Sequence, residues 1–139
     1  MKRSVTSYGA VRPAWDKNDC SVRALAVATG VPYAVASVVF SSLGRRIGRG
    51  TEQEMSTRLY EEILGCRRIE TAEGMRLEPF VTMAQKGRFV IHKHRHAFAV
   101  VDGVVHDWEG TSREGTVIVR AWRIGDKALV KMNQLAGLV

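Results

Sequence analysis

The hydrophobic pattern of this 139-residue chain changes its period once, and that change constrains the fold more than any other feature. Between residues 20 and 64 the apolar residues recur at helical spacing, whereas between residues 88 and 124 they follow the alternation of strands. Helices followed by strands are typical of the α+β class. Because the length suits one domain and no linker or repeat interrupts the chain, we predict a single domain spanning residues 1–139. In it, N-terminal helices pack on a C-terminal antiparallel sheet.

The helical half is predicted to contain three helices and a short fourth one. The first covers Cys20–Thr29, rich in Ala and Leu, and ends at Gly30, a residue favoured just after a helix. The second covers residues 31–43. The third begins at Thr51, where Thr-Glu-Gln-Glu matches a capping box, and the short helix covers residues 79–86.

The strongest local signal in the second half is Asp102-Gly103, which stands between two Val-Val pairs. Asp-Gly between alternating apolar residues predicts a hairpin with a two-residue turn. We predict strands over residues 88–92, 97–101, 104–108 and 116–124. Residues 1–18 are predicted to be irregular.

The formal charge of +7 favours acidic partners, nucleic acid among them. No zinc-finger spacing and no aromatic stacking surface accompanies that charge, so nucleic-acid binding has no motif to support it. Two Cys are too few for a disulfide scaffold. Because no membrane-spanning run or signal-peptide core is present, we expect a soluble cytoplasmic protein with no membrane partner and no cofactor.

Cys20 is the candidate nucleophile because it stands where the first helix begins, with Asn18 or Asp19 available to cap that helix. The helix dipole and the free N–H groups of a first turn stabilise a thiolate over a thiol. The same N–H groups point to where an oxyanion forms in acyl transfer. Free Cys more often packs in a core, and Cys66, at a helix exit, is assigned to that role.

Three histidines alternate in one short segment, at His92, His94 and His96. On a single strand their imidazoles would share a face and could hold a metal, although no acidic ligand cluster accompanies them. Alternatively, Lys93 and Arg95 mark the segment as a charged connection between strands. Only His96 leads directly into an apolar strand, so we assign it as the base and expect no metal.

The predicted hairpin selects a partner for His96. A two-residue turn places His96 and Asp107 on one face of the sheet and His106 on the other. Asp107 would then accept from one ring nitrogen and leave the other for the thiol, the orienting role in a triad. With a three-residue turn His106 would take that place, and Glu109, directly opposite His96, is the third candidate.

Two of these motifs resemble papain-like cysteine hydrolases. Asp-Cys-Ser at Cys20 is similar to the start of the central helix in NlpC/P60 peptidases. His-Ala-Phe-Ala-Val-Val-Asp-Gly from His96 is similar to the His strand of that clan and of bacteriocin-processing peptidases. The wider pattern, over residues 15–124, resembles small papain-like proteins of tailed phages. The resemblance implies a papain-like fold with Cys20 as nucleophile, His96 as base and Asp107 as the orienting residue.

The resemblance also implies a function. It implies a cysteine-dependent hydrolase or acyl-transferase, of peptidase or amidase type, that a phage uses on a bacterial host protein in the cytoplasm. Where papain-like enzymes carry a Gln as oxyanion donor this chain has Ala14, so Asn18 is the candidate donor; Val22 replaces the family's Gly. The alternative is a catalytically silent papain-like protein that inhibits a host factor through its basic surface.

A glycine-flanked loop carries three arginines, Arg45, Arg46 and Arg49. Such a loop could hold phosphates or an acidic protein surface. The alternative is a solvated connection between two helices.

Overall fold

The computed structural model describes residues 1–4, 18–108 and 110–138. This part of the chain contains five α-helices: α1 (Cys20–Thr29), α2 (Tyr33–Ser42), α3 (Gln53–Thr57), α4 (Leu77–Met83) and α5 (Asp126–Ala136). A π-helical segment, Arg58–Ile63, continues α3, and a 3₁₀ turn covers Glu70–Ala72. The strands are β1 (Lys2–Ser4), β2 (Arg67–Arg68), β3 (Arg88–Lys93), β4 (His96–Val101), β5 (Val104–His106) and β6 (Arg120–Ile124).

The six strands form one sheet in the order β1-β5-β4-β3-β6-β2. All neighbours are antiparallel except β1 and β5, which are parallel. The predicted α+β class is therefore confirmed, and β3, β4, β5 and β6 of the second half are antiparallel as predicted, but the sheet as a whole is mixed. The cause is the pairing of Lys2 with Val104, a long-range contact in a segment predicted to be irregular.

The sheet carries apolar layers on both faces. On one face α1 and α2 pack against side chains such as Val90 and Trp122. On the other face α4 covers Phe98 and Val100. Helix α1 is buried along most of its circumference because its Ala, Leu and Val residues face the sheet and α2 together.

The ends of α1 show one correct prediction and one wrong one. Gly30 follows the helix with φ 74°, and its N–H donates to Ala26 O at 2.8 Å, as predicted. Asp19 holds the N-cap position, but its side chain does not cap the helix. Its Oδ2 instead accepts from Tyr33 Oη at 3.0 Å and from Arg23 Nε at 3.3 Å, which fixes the start of α1 against α2.

The capping box at Thr51 is not formed. Helix α3 begins at Gln53 with Glu52 in the N-cap position and no capping side chain. The Thr51 hydroxyl is buried and has no hydrogen-bond partner among the described residues.

The other helices and strands have limits that differ by a few residues from the predicted ones. Helix α4 begins at Leu77 and so places Pro79 in its first turn, where proline is tolerated. Helix α5 was not predicted. Strand β6 is shorter than predicted, and the residues before it make only an isolated bridge, Arg76 to Val117.

Two tight hairpins place the site residues. At the first, Asp102 and Gly103 have φ 48° and 77°, and Val101 pairs with Val104, which confirms the predicted two-residue turn. At the second, Lys93 pairs with His96 across a turn of two residues. None of the helices in the described ranges has the length and apolar character that crossing a bilayer requires.

Candidate active site

Cys20 is the first residue of α1 and is half-buried. The first intrahelical bond runs from Arg23 N to Asp19 O at 3.0 Å. The N–H groups of the first turn, including that of Cys20, therefore lie beyond the intrahelical pattern at the positive end of the helix. The sulfur thus lies beside donors that suit an anion.

His96, the first residue of β4, bridges Cys20 and Asp107. Its Nε2 lies 2.8 Å from Asp107 Oδ1, and both side chains are only 5% exposed. The imidazole is also hydrogen-bonded with the Cys20 thiol. Because Asp107 occupies Nε2, the nitrogen available to the sulfur is Nδ1.

Asp107, which directly follows β5, is held from two sides. Its Oδ2 accepts from Ser112 N at 2.7 Å, and its own N–H donates to Ser4 O at 3.0 Å. One carboxylate oxygen is therefore used for positioning and the other is directed at His96.

The electrostatics of the site favour a protonated His96. Burial alone lowers the pKa of its imidazole, but the hydrogen bonds to Asp107 and Cys20, together with the charges of these two groups, raise that pKa to about 9. The imidazole is therefore a cation at neutral pH. An imidazolium beside a sulfur is the arrangement that a thiol nucleophile needs.

Aromatic side chains enclose the imidazole. Phe98 lies nearly parallel to the His96 ring at a centroid distance of 6.1 Å, and Trp108 contacts it edge-on at 6.3 Å. The Arg23 guanidinium lies 5.9 Å from the centre of the Trp108 ring. These contacts keep water from the hydrogen bond between His96 and Asp107.

The alternative third members are placed as follows. His106 pairs with Ala99 and therefore lies on the opposite face from Asp107. Burial lowers the pKa of His106. Glu109 and Ala14 lie outside the described residues.

Asn18 lines the cleft beside Cys20, and its Nδ2 donates to Gly48 O at 2.9 Å. Arg45, only 4% exposed, donates to Asn18 O at 3.2 Å. The three arginines of the loop therefore differ in their environment. Arg45 holds the segment before Cys20, whereas Arg46 and Arg49 are exposed.

The three alternating histidines do not lie on one strand, because β3 ends at Lys93 and His94 stands in an exposed turn. His92 packs edge-on against Trp122 at 4.8 Å. Burial, with the charges of Arg120 and His96, lowers the pKa of His92 to about 4, so it is neutral. Within residues 1–4, 18–108 and 110–138, no group of three His, Cys, Asp or Glu could hold a metal ion.

A cleft of about 520 Å³ opens at Cys20 and His96. Its lining comes from the start of α1, the start of α3 and the turn between β3 and β4: Asn18, Cys20, Ser21, Gly50, Thr51, Gln53, His92, Lys93, His94, Arg95, His96, Ala97 and Val119. This volume is in the range of sites that bind small molecules or short peptide segments.

Some contributors to the site escaped the sequence analysis. The Ser112 N–H is a backbone group, so its residue type carries no signal. Ser4 contributes only a carbonyl oxygen, in a segment predicted to be irregular. Trp108 could have been noticed, because it directly follows Asp107.

Comparisons with protein-family models, with curated proteins and with solved structures find no significant match for this chain.

Proposed function

We propose that this chain is a papain-like cysteine hydrolase or acyl-transferase that acts on an amide or peptide bond. The observation that carries the proposal is the hydrogen-bonded series Cys20, His96 and Asp107, with the last two side chains buried at 2.8 Å from each other. The motif resemblance to small phage proteins makes a bacterial protein in the cytoplasm the proposed target.

The first chemical step is acylation of Cys20. Sγ adds to the carbonyl carbon of the amide while His96 holds the proton taken from the thiol. The tetrahedral intermediate collapses by breaking the C–N bond, and His96 Nδ1 donates its proton to the departing amine. The product of this step is a thioester on Cys20 and a free amine.

The negatively charged oxygen of the tetrahedral intermediate requires hydrogen-bond donors. The N–H groups in the first turn of α1, with that of Cys20 the nearest, supply them in this proposal, and the helix dipole adds to the stabilisation. Asn18 remains a proposed side-chain donor, although its amide group already donates to Gly48 O.

The second step releases the acyl group. Neutral His96 takes a proton from a water molecule, whose oxygen attacks the thioester carbonyl, and then returns a proton to the leaving sulfur. An amine in place of water would make the same site an acyl-transferase. Asp107 holds the ring orientation and stabilises the imidazolium throughout.

The test compares the two thiols of the same molecule. Cys66 is buried and its pKa is raised to about 11 by that burial, so it serves as an internal control. We expect iodoacetamide at pH 6 to label Cys20 at least tenfold faster than Cys66, as measured by mass spectrometry. His96→Gln should slow the labelling of Cys20 by tenfold or more.

Unfolding of a variant would expose Cys66 and invalidate the comparison of the two thiols. The folded state of each variant is therefore checked by circular dichroism. If a folded protein labels Cys20 as slowly as Cys66, or if His96→Gln labels as fast as wild type, the proposed hydrolase is wrong. A silent binding protein would then be the better description.

A further inference from the structure

The cleft beside Cys20 is lined by two cationic side chains on one side. Lys93 ends β3 and Arg95 lies in the turn that follows it, and no Asp or Glu is among the described residues that line the cleft. The Asp107 carboxylate lies behind His96 and is 4% exposed, so it does not offset this charge at the surface.

Arg95 has a backbone conformation that arginine rarely adopts. Its φ is 57°, in the left-handed region that favours Gly or Asn. Asp102, the other described non-glycine residue in this region, is compensated by a hydrogen bond from Gly87 N to its Oδ1 at 3.0 Å. The Arg95 side chain makes no such hydrogen bond with another described residue, and uncompensated strain points to a function of the side chain.

His92 also lines the cleft and lies in the positive field of neighbouring charges. His92 is 8% exposed, and its Nε2 has no hydrogen-bond partner among the described residues. Burial is the main cause of the low pKa of His92, and the positive charges of Arg120 and His96 lower it further. A neutral imidazole in a positive field can donate to an anion without adding charge.

We propose that the substrate is an acidic peptide, in which a carboxylate near the scissile amide binds between Lys93 and Arg95 beside His92. This inference rests on the proposed function, because it names the substrate class of the same cleft. A peptide carboxylate suits the position better than a nucleic-acid backbone, because a thiol nucleophile acts on acyl groups and the Lys and Arg side chains among the described lining residues are only Lys93 and Arg95.

The test uses two alkylating reagents with the same leaving group and reacting carbon, neutral iodoacetamide and anionic iodoacetate. We measure the ratio of the iodoacetate rate to the iodoacetamide rate at Cys20. Removal of a nearby charge by Arg95→Gln should lower this ratio by about threefold, and the double variant with Lys93→Gln should lower it further. Arg95→Lys should preserve most of the ratio.

A matched control removes the same charge elsewhere. Lys131 is exposed on α5 and does not line the cleft, so Lys131→Gln should leave the ratio within error of wild type. An equal loss in Lys131→Gln would assign the effect to net charge and overturn the inference. An unchanged ratio in the Lys93 and Arg95 variants would overturn it as well.

Different measurements test the proposed function and the inferred acidic substrate. The proposed function depends on the iodoacetamide rate and its response to His96→Gln, whereas the inference depends on the ratio and its response to Lys93 and Arg95. In a peptide library prepared from a bacterial proteome, wild-type cleavage sites should be enriched in Asp or Glu near the scissile bond. Cleavage without that enrichment would contradict the acidic substrate and leave the hydrolase standing.

Discussion

Asp107 Oδ1 meets His96 Nε2 at 2.8 Å, while Asp107 Oδ2 accepts from the backbone N–H of Ser112 at 2.7 Å. The carboxylate is therefore fixed at both oxygens and cannot rotate without losing a hydrogen bond. This fixed orientation determines which nitrogen of His96 carries a proton when the ring is neutral: Nε2 donates to the carboxylate and Nδ1 stays available to Cys20.

Asp107→Asn should reverse that tautomer. The Ser112 N–H would hold the amide oxygen, so the amide NH₂ would face Nε2 and the proton of a neutral ring would move to Nδ1. We expect iodoacetamide labelling of Cys20 to slow by at least tenfold, about 1.4 kcal/mol in activation free energy.

The matched control for Asp107→Asn is its neighbour His106. His106 points to the opposite face and pairs with Ala99, so His106→Gln should keep the labelling rate close to that of wild type. The reverse order of effects, with His106→Gln the slower variant, would assign the orienting role to His106.

The free energy of unfolding should fall at alkaline pH because of His96. Its pKa of about 9 in the folded protein exceeds the value near 6.5 expected for an unfolded chain, so the folded state binds the proton more tightly. This contribution is fully present below pH 6.5 and is lost as the pH rises to about 9. Urea unfolding at a series of pH values measures it.

His96→Gln is the reference for that measurement because it removes the titration. The difference in unfolding free energy between wild type and His96→Gln should shrink between pH 6.5 and 9. A difference that stays constant, or grows, over this interval would contradict the raised pKa.

His92 should have the opposite effect on the acid side. Its pKa of about 4 in the folded protein is below that of the unfolded chain, so the unfolded state binds the proton more tightly between these values. Stability is therefore lost as the pH falls from about 6.5 to 4. His92→Phe keeps a ring against Trp122 and should flatten this part of the profile in urea unfolding.

Arg95→Gly should stabilise the protein. Glycine adopts φ 57° without a Cβ penalty, and after the entropy lost by glycine on folding we expect a gain of about 0.5–1 kcal/mol. Thermal and urea unfolding measure this change.

Asp102→Gly is the comparison for Arg95→Gly. It relieves a similar φ of 48° but removes the hydrogen bond from Gly87 N, so it should give a smaller gain or a loss. If Asp102→Gly stabilises as much as Arg95→Gly, the strain at Arg95 is no less compensated than the strain at Asp102.

The sequence predicted what depends on near neighbours. The Asp-Gly turn at Asp102 determined the register of β4 and β5 and, through alternation, the face of Asp107. Gly30 marked the end of α1. In each case a few adjacent residues carry enough conformational preference to decide the local structure.

The sequence could not predict structural features that depend on contacts between residues far apart in the chain. Strand β1 forms because Lys2 pairs with Val104. Arg45 is buried and donates to the carbonyl of Asn18, 27 residues away. Thr51 matches a capping box, yet α3 begins at Gln53 and the Thr51 hydroxyl is buried without a partner among the described residues. Local propensity is overridden wherever packing supplies a competing partner.

The parallel pairing of β1 with β5 has a consequence for how the site assembles. The Ser4 carbonyl that holds Asp107 N–H reaches it only when a segment of roughly one hundred residues closes on itself, between Lys2 and Val104. Closing so long a segment has a high entropic cost, and a three-residue strand at the edge of a sheet opens readily. Opening of this edge strand would therefore loosen the Asp107 carboxylate while leaving the Cys20 thiol in place on α1.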